Sequence, residues 1–170
     1  MIRSVRLQAA IFALLACNTS YYIIAGRFSE ALESVAWYAL LILFLLETTR
    51  GRRLLATRVL AAVHGMRLLA TLAIAFSAVL YVRENEWLDA TNLFLWVAVV
   101  ALLEIEIRQT AAVVVHRQAF TMTAALLYAA LGILVVIWLV RGEWMDAWDA
   151  ALWLAAFGVL EMDLLHTGEA

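Results

Sequence analysis

Apolar residues run along this chain in six stretches, and only short charged breaks separate them. Crossing a bilayer takes roughly 20 mostly apolar residues per helix. The stretches read as spans at 5–26, 32–49, 57–82, 88–108, 118–140 and 146–166 of a 170-residue chain, which leaves almost nothing for a soluble domain. Of the residues, 66% are hydrophobic and the mean hydropathy is +0.92; soluble domains hold to about half apolar residues. A transmembrane barrel would alternate polar and apolar residues in shorter segments. The sequence therefore predicts an all-α, polytopic integral membrane protein with six transmembrane helices in one membrane domain over 1–170.

The spans pair into repeats. An acid, an alanine, five residues and a tryptophan recur as Glu30-Ala31…Trp37, Asp89-Ala90…Trp96 and Asp146-Ala147…Trp153. Each copy runs on to a glutamate, Glu47, Glu104 or Glu161, and these are spaced by 57 and 57 residues. Between 86–107 and 143–164, nine of 22 positions are identical, Trp87/Trp144 and Trp96/Trp153 among them. Three helical hairpins at approximately 1–53, 54–110 and 111–170 are expected, arranged as a pseudo-threefold bundle. Mitochondrial carriers share that outline of three hairpins, but a chain without proline lacks their proline-containing signature.

Arginine sets the expected orientation, because positively charged loops stay in the cytoplasm. Nine of the 12 arginines, Arg3, Arg6, Arg50, Arg52, Arg53, Arg58, Arg67, Arg108 and Arg117, fall on the side of the N-terminus. Arg27, Arg83 and Arg141 fall on the other, together with Glu30, Glu33, Glu84, Glu86, Glu143, Asp89, Asp146 and Asp149. Both termini are thus expected in the cytoplasm, the setting being a bacterial inner membrane. The outer acids stand where they can satisfy free N–H groups at helix starts.

Several functions are excluded by what is missing. Lysine is absent, which removes Schiff-base chemistry. Proline is absent, which disfavours the broken helices of substrate-binding transporters. Cys17 is alone, so no disulfide or cysteine metal site forms within the chain. The sequence has no GxSxG, HExxH or P-loop pattern, and no enzyme activity is expected. The few inner arginines serve topology, so no nucleic acid is expected as a partner.

Two groups of residues are candidates for function. Glu47, Glu104 and Glu161 lie towards the inner helix ends, with Arg67 deeper in span three and His64 one turn before it. Ionisable groups inside a membrane face the bundle interior and mark candidate sites. They read as interlocking ion pairs, Arg67 with Glu47 or Glu104, or as a proton or cation site. Trp37, Trp96, Trp153, Trp87 and Trp144 form the second group, in the outer half. They read as packing at the bundle mouth, or as a surface for a partner or lipid; Trp87, Trp138, Trp144 and Trp148 fit an interfacial belt. Asn18, Thr19 and Ser20 interrupt span one and are expected to bond between helices. Asp163-x-x-His166 is half of a di-iron motif whose second half is missing, so neither metal nor cofactor is expected.

The function expected from these features is a small non-catalytic subunit, accessory or structural, of a membrane protein complex. Its partners would be membrane lipids and other membrane subunits or further copies of itself. The alternative is a proton or small-ion channel or transporter that uses the inner carboxylates.

Overall fold

A computed structural model describes residues 2–50, 57–109, 113 and 115–167. Six long helices carry nearly all of them: α1 Ile2–Ala25, α2 Phe28–Arg50, α3 Thr57–Glu84, α4 Trp87–Arg108, α5 Arg117–Arg141 and α6 Trp144–Thr167. Uninterrupted Ala, Leu and Val without proline let each helix run its full length, and a helix satisfies its backbone groups without water. Phe28–Leu46, Ala61–Glu84, Trp87–Glu106 and Arg117–Arg141 are long and apolar enough to cross a membrane. The expectation of six spans is met in part. The apolar part of α1 is Ala9–Ala25, and α6 carries Asp146 and Asp149 in its first two turns, which shortens its charge-free run.

Every helix but α3 begins one to four residues before its predicted span. The outer acids stand in first turns, as expected: Asp89 in α4 and Asp146 in α6, and Glu30, which lies outside its predicted span, in α2. Each is the third residue of its helix, where a carboxylate meets free N–H groups and the positive end of the helix dipole.

Tight turns join α3 to α4 and α5 to α6. Asn85 and Gly142 take left-handed backbone conformations, φ 61° and 78°. The next N–H reaches back five residues in both: Glu86 to the Tyr81 carbonyl at 2.9 Å, Glu143 to the Trp138 carbonyl at 2.9 Å. This is the Schellman closure, which satisfies the last carbonyls of a helix. Gly142→Ala is expected to lower stability by about 1 kcal/mol, since the left-handed region penalises a Cβ. Gly142→Asn should lie near the parent in thermal melts, because Asn85 holds the same conformation in the sister turn. The α1–α2 turn differs. A Cβ on Gly26 would lie 2.7 Å from the Tyr22 carbonyl oxygen, so glycine serves close approach there.

The chain forms two compact units, Leu15–Glu86 and Trp87–Ala170 with Met1–Leu14. In the first, α2 lies along α3. Ala36, Leu41 and Leu43 of α2 are buried with Val63, Ala70, Ile74 and Ala78 of α3. Thr19 of α1 and Ser34 of α2 are buried and joined by a hydrogen bond of 3.0 Å from the Ser34 hydroxyl. In the second unit α5 lies beside both α4 and α6. Its core takes every third residue of α4, Ala90, Leu93, Trp96 and Val99, and the positions 57 further on, Ala147, Ala150, Trp153 and Ala156 of α6. Leu131, Leu134 and Trp138 come from α5.

Candidate functional site

Polar chemistry in the first unit collects at the end where α2 starts and α3 stops. The Glu30 carboxylate accepts the Arg27 backbone N–H at 2.8 Å and its Nε at 2.6 Å. The first bond is the backward half of a capping box, a third-position acid reaching the residue before the helix. The Arg27 guanidinium also pairs with Glu86, which ties the α1–α2 turn to the α3–α4 turn. The buried Ser29 hydroxyl donates to Glu84 at 2.7 Å.

One turn further in, Glu33 accepts the Tyr81 hydroxyl at 2.6 Å and the Trp37 indole N–H at 3.2 Å. Tyr81 is fully inside. The pairs Ser29–Glu84 and Glu33–Tyr81 run in opposite directions along the two helices, so α2 and α3 are antiparallel. A carboxylate holding two neutral donors from two helices is a clamp.

In the second unit aromatic rings pack between α4 and α6. Trp96 and Trp153, 5% and 7% exposed, meet edge to face with centroids 6.5 Å apart. Phe157 lies 4.9 Å from Trp96 and 6.4 Å from Trp153. Two indoles of this size span a separation between α4 and α6 that smaller side chains would leave open. Such burial leaves Trp96 and Trp153 little surface to offer a partner. Trp87 and Trp144 are exposed, and so is Trp148. Trp138, which the sequence places in the interfacial belt, is instead a core residue packed with Leu134, Ala147 and Ala150. Arg141 and Glu143 flank Gly142 and pair at 3.3 Å.

The inner candidates lie on α2, α3, α4 and α6. Arg67 and His64 sit on α3, Arg67 half-buried and His64 exposed. The Arg67 carbonyl accepts the Thr71 hydroxyl at 2.9 Å. Glu47 belongs to the same unit, whereas Glu104 and Glu161 belong to the other. Glu104 is exposed near the end of α4. The side chains of Glu47 and Glu161, and of Asp163 and His166, lie outside the described residues. Among the described residues no three His, Cys, Asp or Glu side chains group as a metal site requires.

Two features escaped the sequence reading. Asn92, one turn after Asp89, has a buried Oδ1 that no donor reaches among the described residues. Its signal was a lone amide in an otherwise apolar run. The second is Phe28 at the first position of α2, the place that Trp87 and Trp144 hold in α4 and α6. The three helix starts share the sequence pattern aromatic-x-acid-Ala: Phe28-Ser29-Glu30-Ala31, Trp87-Leu88-Asp89-Ala90, Trp144-Met145-Asp146-Ala147. Phenylalanine in copy one hid it from a count of identities.

No protein-family model, curated protein or solved structure matches the chain.

Proposed function

We propose that this chain is a small non-catalytic integral membrane protein, an accessory or structural subunit of a membrane protein complex. The observation that carries this reading is where its described polar groups go. At the acid-rich end Arg27, Glu30, Glu86, Ser29, Glu84, Glu33, Tyr81 and Trp37 bind one another across two turns and two helices. They stabilise the helix pair, and the turns add no segment long enough to carry chemistry.

Six spans in three hairpins of pseudo-threefold arrangement, with both termini in the cytoplasm of a bacterial cell, complete the proposal. The aromatic-x-acid-Ala starts, the equivalent turns at Asn85 and Gly142, and the matched core positions of α4 and α6 support the repeats. The arginine asymmetry supports the orientation. A cysteine introduced by Glu143→Cys, in a Cys17→Ser background, is expected to react with a membrane-impermeant reagent in intact cells. Reaction only after permeabilisation would reverse the orientation.

Purification in mild detergent with mass analysis tests the function. Other membrane subunits should remain bound. A chain that purifies alone or only with itself favours the second reading, a proton or small-ion pathway using Glu47, Glu104 and Glu161. The buried Asn92 amide oxygen favours that reading, since it places an unsatisfied acceptor inside a span. Proton or potassium flux into liposomes, lost when all three glutamates become glutamine, would establish it.

A further inference from the structure

We propose that Phe28, Trp87 and Trp144 are membrane-depth anchors, seated with their rings in the lipid headgroup interface where α2, α4 and α6 enter the bilayer. This rests on the membrane-spanning reading above and adds the surface that sets the protein's depth.

The three side chains open their helices. They are exposed to nearly the same degree, 68%, 60% and 68%. Each is followed two positions later by a half-buried acid in the first turn. The aromatic therefore points away from the protein at the level where charge begins. That is the position at which an amphipathic ring is most stable between hydrocarbon and water.

Helix length supports the same level. The apolar stretches Phe28–Leu46 and Trp87–Glu106 both start on the aromatic. With 19 and 20 residues, they rise about 30 Å, the thickness of a hydrocarbon core. The faces below are also suited to lipid. Phe28 heads an exposed line through Val35 and Ile42, at seven-residue steps, and Trp87 heads one through Phe94.

The occupant follows from the repetition. A protein partner engages one face and selects for one patch. An exposed aromatic kept once in each hairpin fits a neighbour that meets every hairpin, and the bilayer is such a neighbour. Indole N–H groups at Trp87 and Trp144 can donate to lipid ester or phosphate oxygens. Phe28 lacks that donor and anchors by its ring alone.

Fluorescence in vesicles tests this on the full chain. The protein is reconstituted into phosphatidylcholine vesicles carrying a nitroxide near the glycerol end of the acyl chain, or near its methyl end. Subtracting the emission of Trp87→Phe or Trp144→Phe from that of the parent isolates each indole. Both contributions should fall more with the shallow nitroxide than with the deep one. The Trp153 contribution, isolated in the same way, should resist both. A tryptophan introduced by Phe28→Trp should show the same shallow profile as Trp87, and one introduced by Val35→Trp should be quenched best from the deep position. If Val35→Trp is quenched while Trp87 and Trp144 resist both nitroxides, protein covers them and the proposal is overturned. A deep profile for Trp87 or Trp144, or a depth for Phe28→Trp unlike theirs, also overturns it. If Val35→Trp is unquenched and the protein does not float with the vesicles, the membrane-spanning reading fails and the anchors fail with it.

Discussion

Trp153→Ala is expected to destabilise the second unit by about 3–5 kcal/mol, the range for emptying a large aromatic site in a core. Trp153 is buried, meets Trp96 edge to face and touches Phe157 at its own helical spacing of four. Within a bilayer, lipid competes for apolar groups as well as protein does, so the hydrophobic term between helices is weak. The loss comes from van der Waals contacts that a cavity forfeits. Trp96→Ala should cost a similar amount, and the double variant should cost less than the sum, because each substitution removes the same ring contact. Trp144→Ala is the control: exposed, it should stay within about 0.5 kcal/mol of the parent. Thermal unfolding in detergent reads all four. Equal shifts for Trp153→Ala and Trp144→Ala would show that the ring cluster does not hold α4 to α6.

The all-helical fold was legible because bilayer-length apolar runs without proline admit few alternatives. Helix starts were less so. Glu30 falls outside its predicted span of 32–49 yet is the third residue of α2, as Asp89 and Asp146 are of α4 and α6, where free N–H groups and the helix dipole favour a carboxylate. The tryptophans show a second limit. Near a helix end, composition gives the level of a residue and says little about which way it faces. Trp138 and Trp144 stand within one turn of the same bend, yet one is core and the other is 68% exposed. Only the packing of α5 against α4 and α6 separates them. Asn92 was passed over for a related reason: a single amide barely changes the hydropathy of its run, although burial makes its oxygen costly.

Partners distant in sequence were the least legible. Glu33 was counted with the outer acids, and nothing local connects it with Tyr81, 48 residues later. Ser29 and Glu84, 55 apart, were equally silent. Trp37, grouped with Trp96 and Trp153 by the repeat, diverges from them in the fold: its indole N–H is held by Glu33, one helical turn earlier. A shared sequence pattern thus does not assign shared contacts. Trp37 joins a hydrogen-bonded clamp, whereas Trp96 and Trp153 meet each other's rings.

That clamp yields the second large effect. Glu33→Leu is expected to cost about 2–4 kcal/mol, since it removes the carboxylate that the buried Tyr81 hydroxyl and the half-buried Trp37 indole N–H donate to, at about 1–3 kcal/mol for a hydrogen bond lost to a buried donor. Leucine fits the apolar surroundings, so lost packing does not account for the cost. Tyr81→Phe removes one donor and leaves Glu33 bonded to Trp37, and should cost about 1–2 kcal/mol. The informative variant combines them. With Phe at position 81 the carboxylate has one fewer donor to abandon, so Glu33→Leu in that background should cost less than it does alone. Strict additivity would mean that the 2.6 Å bond contributes nothing to holding α2 against α3. A large coupling, by contrast, would make Glu33 the residue that sets the register of the antiparallel pair. Its carboxylate lies one turn below Glu30, and a slip of α3 by one residue would carry Tyr81 round its helix by about 100°. No other side chain of that length and polarity then faces Glu33, because the neighbours of Tyr81 in sequence are Leu80 and Val82.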